Sequence, residues 1–126
     1  MRNSIVAALV LALGMCAYVR VARAADEDKT VKVSGVVIDQ MCGEKMLKKD
    51  DPQKAAEGHK KDCALKCGPE AGYAIISEGK MTKLSADSKD KVEEYLKKED
   101  SKTEVTISGT KQDDGSIKVS EIMAKS

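Results

Sequence analysis

The sequence predicts a mainly β domain with short helices (α+β), arranged as a five-stranded, OB-like Greek-key barrel. Three observations point there. Stretches rich in β-branched residues recur at residues 31–38, 72–77, 81–84, 104–110 and 116–122, three of them with clear period-two alternation. One short amphipathic segment, residues 87–98, separates the third stretch from the fourth. A longer polar segment, residues 43–71, separates the first from the second and carries two cysteines and the only histidine. Strand, insertion, hairpin, helix, hairpin is the order of an OB barrel. A small open β-sandwich of the same strands is the competing arrangement.

Residues 1–24 read as a secretory signal peptide cleaved after Ala24. Arg2 precedes an apolar run at residues 5–13, and Ala22-Arg23-Ala24 supplies a small-x-small site. The run falls short of the ~20 residues that span a bilayer, so no stable membrane span is expected after cleavage. An uncleaved anchor and a lipidated Cys16 are the competing readings. Met15 stands where a small residue should precede a lipidated cysteine. The chain is therefore expected to be periplasmic or secreted. Residues 25–30 form a flexible polar start, and residues 31–126 form one domain of ordinary small size.

The domain elements follow in order. Val31 and Val33 alternate with Lys32 and Ser34, and Gly35 within this first strand predicts a bend. Asp51-Pro52 opens a helix over residues 52–67, which Gly68-Pro69 should stop. Glu78-Gly79-Lys80 turns a hairpin between the second and third strands. Asp87 or Ser88 caps the next helix, with Val92, Tyr95 and Leu96 on one face. Asp113-Asp114-Gly115 turns between the last two strands. Val31-x-Val33-Ser34-Gly35 resembles Val105-x-Ile107-Ser108-Gly109, so strands one and four should bend alike.

Composition excludes some functions. The whole chain carries a net charge of +1. Cleavage removes Arg2, Arg20 and Arg23, every arginine it has, and leaves a slightly acidic domain. With no Phe or Trp and no basic face, it lacks the stacking platforms and positive groove of a nucleic-acid binder. A core without large rings buries little surface for its size, so a covalent or metal staple would help it.

Cys42, His59, Cys63 and Cys67 are the candidate site residues, spaced Cys42-x16-His59-x3-Cys63-x3-Cys67. In an oxidising compartment a disulfide is the first reading. On one helix, Cys63 and Cys67 stand at i and i+4, with Cβ atoms ~5–6 Å apart, while a bridge needs about 3.5–4.5 Å. Cys42 therefore pairs with Cys63 or Cys67, closing a loop worth roughly 3 kcal/mol.

The alternative is a soft-metal site, with Cys42, His59, Cys63 and Cys67 holding zinc or copper. Met41 and Met46 are soft donors nearby, although packing explains both. On a straight helix His59 and Cys67 lie ~12 Å apart at 1.5 Å per residue, so the full set requires a break near Gly58 or before Gly68. Asp39 caps the turn after the first strand or supports the site from outside the ligand set. A thiol-redox role is the third reading, without the C-x-x-C of oxidoreductases.

Val33-Ser34-Gly35-Val36-Val37-Ile38-Asp39-Gln40-Met41-Cys42, with Cys63, Cys67 and Gly72-Tyr73-Ala74-Ile75, resembles a group of small exported bacterial proteins. The shared pattern is G-x3-D-x2-C, then C-x3-C and a hairpin. That resemblance implies an extracytoplasmic β-rich domain and no particular activity. No catalytic constellation is present: there is one histidine, and neither G-x-S-x-G nor a phosphate loop. The expected function is a non-catalytic binding or accessory module of the cell envelope, serving a partner protein or a small ligand.

Overall fold

A computed structural model describes residues 29–126; the expected signal segment and most of the polar start lie outside the described residues. Alternation produces the strands where expected: β1 (Thr30–Asp39), β2 (Tyr73–Ser77), β3 (Lys80–Lys83), β4 (Glu104–Lys111) and β5 (Ile117–Ala124). They form one five-stranded sheet in the order β3-β2-β1-β4-β5, and every ladder is antiparallel. β1 serves two partners. Its first part, Thr30 to Val36, pairs with β4, and Val36 to Asp39 pair with β2. The change of partner falls beside Gly35, where a Cβ would meet the Ile76 carbonyl. The matching irregularity in β4 lies between Ser108 and Gly109.

The sheet is not closed. Its edges, β3 and β5, meet only at a parallel bridge between Leu84 and Ile117, supported by Ser85 N–H donating to the Ile117 carbonyl at 2.8 Å. All 4 residues of β3 are paired with β2, and none of them forms a ladder with β5. The hairpin joining β2 to β3 turns through Glu78 (φ 52°) and Gly79 (φ 76°), the left-handed pair that a two-residue hairpin turn requires.

Three helices lie between β1 and β2: α1 (Gln40–Met46), α2 (Pro52–Glu57) and α3 (Lys61–Ala71). The expected single helix over residues 52–67 is two, broken at residues 58–60, where His59 N–H returns to the Ala56 carbonyl at 3.0 Å. Gly68-Pro69 does not stop α3 either. Gly68 is buried against the Tyr73 ring, and the chain turns instead at Gly72, with φ 82°. A 3-10 turn (Ala86–Ser88) and α4 (Lys89–Leu96) connect β3 to β4.

Two apolar clusters hold the fold. The larger joins Val37, Tyr73, Ile75, Val105 and Ile107 of the sheet to Ala64 of α3 and Val92, Tyr95 and Leu96 of α4. The smaller gathers Val36, Ile38, Ala74, Ile76 and Ala56 of α2, with Cys42, Met46 and Met81 against it. Each fully buried Val, Ile or Leu contributes about 1.5–3 kcal/mol. The period-two rule puts Val37 and Asp39 on the same face of β1, so the strand carries a carboxylate toward the side of the larger cluster.

Candidate functional site

The site forms where β1 runs straight into α1. Asp39, the last residue of β1, is the N-cap of α1, and its Oδ2 accepts from Cys42 N–H at 2.8 Å. This is an ordinary cap, in which a side-chain oxygen satisfies an orphan donor of the first turn. The capping role expected of Asp39 is therefore present, but the same carboxylate does more. Its other oxygen, Oδ1, stands 3.6 Å from His59 Nε2. The break between α2 and α3 frees His59 from both helices and turns its ring inward.

Asp39, Cys42 and His59 each offer one ligand atom, and these atoms lie within 4.8 Å of one another. The Asp39 side chain is 0% exposed and that of His59 is 6% exposed. Asp39 Oδ1 and both ring nitrogens of His59 are buried without a hydrogen-bond partner. Each such group forfeits ~1–3 kcal/mol. Left without hydrogen bonds, Asp39 Oδ1 and the His59 Nε2 that faces it do not stabilise the fold.

Electrostatics agree with that geometry. Burial pushes the His59 imidazole below its ordinary 6.5, and the Asp39 charge opposes this only in part. Burial also pushes the Cys42 thiol above 9.0; the hydrogen bond and negative charge of Asp39 and the charge of Cys67 add to this, and Lys45 offsets a little. Proton transfer from Cys42 to His59 is thus disfavoured at both ends. A cysteine nucleophile needs the reverse, a thiol with a lowered pKa.

The other sequence-predicted residues fall differently. Cys42, Cys63 and Cys67 are all free thiols, so the bridge expected from Cys42 to Cys63 or Cys67 is not made in this structure. Cys63 is exposed and Cys67 half-buried, and neither belongs to the group around Asp39. The helical break explains this: His59 left the stripe that would have aligned it with Cys63. Met46 packs on the smaller cluster and Met41 is 53% exposed. The spacing Asp39-x2-Cys42 marked Asp39 as a cap or as an outside support of the site, and not as a prospective ligand.

One cavity lies elsewhere. About 380 Å³ in volume, it runs along the open edge of the sheet between Met81 and Ser116 and includes Gln40 but none of Asp39, Cys42 and His59. No helix among the described residues is long and apolar enough to cross a membrane. No protein family, curated protein or solved structure matches the chain.

Proposed function

We propose that the protein is a non-catalytic, exported binding module whose Asp39, Cys42 and His59 hold a transition-metal ion, zinc by the nature of the donors. One observation carries this reading: the facing polar atoms of Asp39 and His59 are buried together with no partner. Tetrahedral zinc with bonds of about 2.0–2.3 Å separates its ligand atoms by about 3.3–3.8 Å, and the Asp39–His59 separation is 3.6 Å. Carboxylate, imidazole and thiolate are all zinc ligands, whereas copper(I) favours an all-soft set. Three protein ligands leave one position for water, a ligand or a partner's side chain.

Binding is favoured over catalysis because burial pushes the metal-free Cys42 thiol up, away from the lowered value that a cysteine nucleophile needs. Export rests on residues 1–24. We read the sheet as an OB-like Greek key left ajar. In support, β1 pairs on both sides, a helix sits between β3 and β4, and the sheet edges touch at Leu84 and Ile117.

Zinc titration of the reduced protein against a chromogenic chelator tests the metal reading. Stoichiometric uptake that falls in both His59→Ala and Cys42→Ser is the expected result. Uptake of neither zinc nor copper(I) would overturn it.

A further inference from the structure

Helix α3 carries two thiols that the Asp39 group leaves unused. Cys63 and Cys67 both lie within its unbroken run, Lys61–Ala71, one turn apart at i and i+4. The helix is already regular at the first of them, where Cys63 N–H and Ala64 N–H return to the Lys60 carbonyl at 3.1 and 3.3 Å. The residue after each cysteine, Ala64 and Gly68, is buried, Ala64 in the larger cluster and Gly68 on the Tyr73 ring. At 3.6 residues per turn, the cysteines stand about 100° round the helix from that buried stripe. They edge the docked face: Cys67 is half-buried and Cys63 is exposed.

One helical stripe places their Cβ atoms ~5–6 Å apart with both Cα–Cβ bonds tilted the same way. That spacing is too wide for a disulfide, which needs about 3.5–4.5 Å, and both thiols are free. It suits an ion between two sulfurs, because two thiolate bonds of about 2.3 Å span up to ~4.6 Å. We propose that Cys63 and Cys67 form a second metal site, separate from the Asp39 group and selective for copper(I). The donors choose the ion. Among the described residues no third carboxylate, imidazole or thiol converges with them. Zinc requires four ligands and would be left under-coordinated, whereas copper(I) prefers soft thiolates and is satisfied by two of them. Each thiol gives its proton to water on binding, and no electron is transferred. Because Cys63 is exposed, the ion enters and leaves without opening the fold. The site stands apart from the zinc reading, since neither cysteine belongs to the Asp39 group.

Anaerobic copper(I) titration of the reduced protein, in competition with a chromogenic copper(I) chelator, tests the site. Cys42→Ser should keep one chelator-resistant copper(I) per chain, whereas Cys63→Ser and Cys67→Ser should each lose it. Cys63 is exposed, so its replacement leaves the core untouched, and circular dichroism checks the fold of all three variants. X-ray absorption of copper-loaded Cys42→Ser should show the ion bound to two sulfurs. No copper(I) uptake by wild type, uptake by Cys63→Ser as tight as by wild type, or loss of the ion in Cys42→Ser would overturn the proposal. A protein that holds copper(I) through Cys63 and Cys67 but takes up no zinc would remove the Asp39 site alone.

Discussion

Asp39 holds Cys42 by its backbone, Oδ2 accepting from Cys42 N–H at 2.8 Å, so one carboxylate both starts a helix and fixes the neighbouring thiol. The two duties separate by substitution. Asp39→Asn keeps an oxygen for the cap but loses the anionic ligand, and Asp39→Ala loses both. Zinc affinity should fall in both variants by at least the ~10–100-fold that loss of an outer partner costs a metal site. Only Asp39→Ala should also lose the ~0.5–2 kcal/mol of the cap, read by urea unfolding of the metal-free protein.

Stability of the metal-free protein should be greatest between the ordinary values of His59 and Cys42. The folded His59 pKa lies below 6.5, so the unfolded chain takes up the proton first. Stability is then complete above 6.5 and lost as pH falls through that value toward the lowered one. As the chain has a single histidine, His59→Gln should abolish this limb ahead of carboxylate titration. The folded Cys42 pKa lies above 9.0; the unfolded thiol ionises first, and stability declines as pH rises past 9.0. Cys42→Ser should flatten that alkaline decline. Unchanged pH profiles in both variants would show that neither group is perturbed.

Metal uptake should itself be pH-dependent. Binding through Cys42 requires loss of its proton, and that thiol titrates above 9.0. Apparent zinc affinity should therefore climb about tenfold per pH unit through neutrality, one proton being released per ion. Chelator competition at several pH values measures the slope. A flat profile would remove Cys42 from the ligand set.

Tyr73 offers an optical check on the interior. Its phenol is pushed up to about 12, first by burial and then by the nearby Glu93 and Asp39 carboxylates. Ultraviolet titration should show a phase near that value that disappears in Tyr73→Phe. Glu93→Gln should move it back toward 10.0.

Gly68 is a packing residue by the same geometry. A methyl group there would enter the Tyr73 ring, so Gly68→Ala should cost ~1–3 kcal/mol although alanine is the better helix former by ~1 kcal/mol. Pairing it with Tyr73→Leu should recover much of the loss. Thermal unfolding of the four proteins of this double-mutant cycle measures the coupling.

Local pattern was enough to locate all five strands. Alternation marks a face whatever the strand packs against, and the Glu78-Gly79 turn needs only its own backbone. Asp51-Pro52 likewise opened a helix by local chemistry, since Asp51 Oδ1 accepts from Lys54 N–H at 3.1 Å. Tertiary contacts decided three other things. Gly68-Pro69 reads locally as a stop, yet α3 passes through it because Gly68 is pressed onto Tyr73. The sheet stays open rather than closing into the expected barrel, its two edges bridging only at Leu84 and Ile117 among the described residues. His59 meets Asp39 rather than Cys63 because a break between two helices, each docked on the sheet, re-aims its ring. Spacing along the chain specifies which groups share a helical stripe, but only the packing of separate elements brings a strand end, a helix start and a loop to one point.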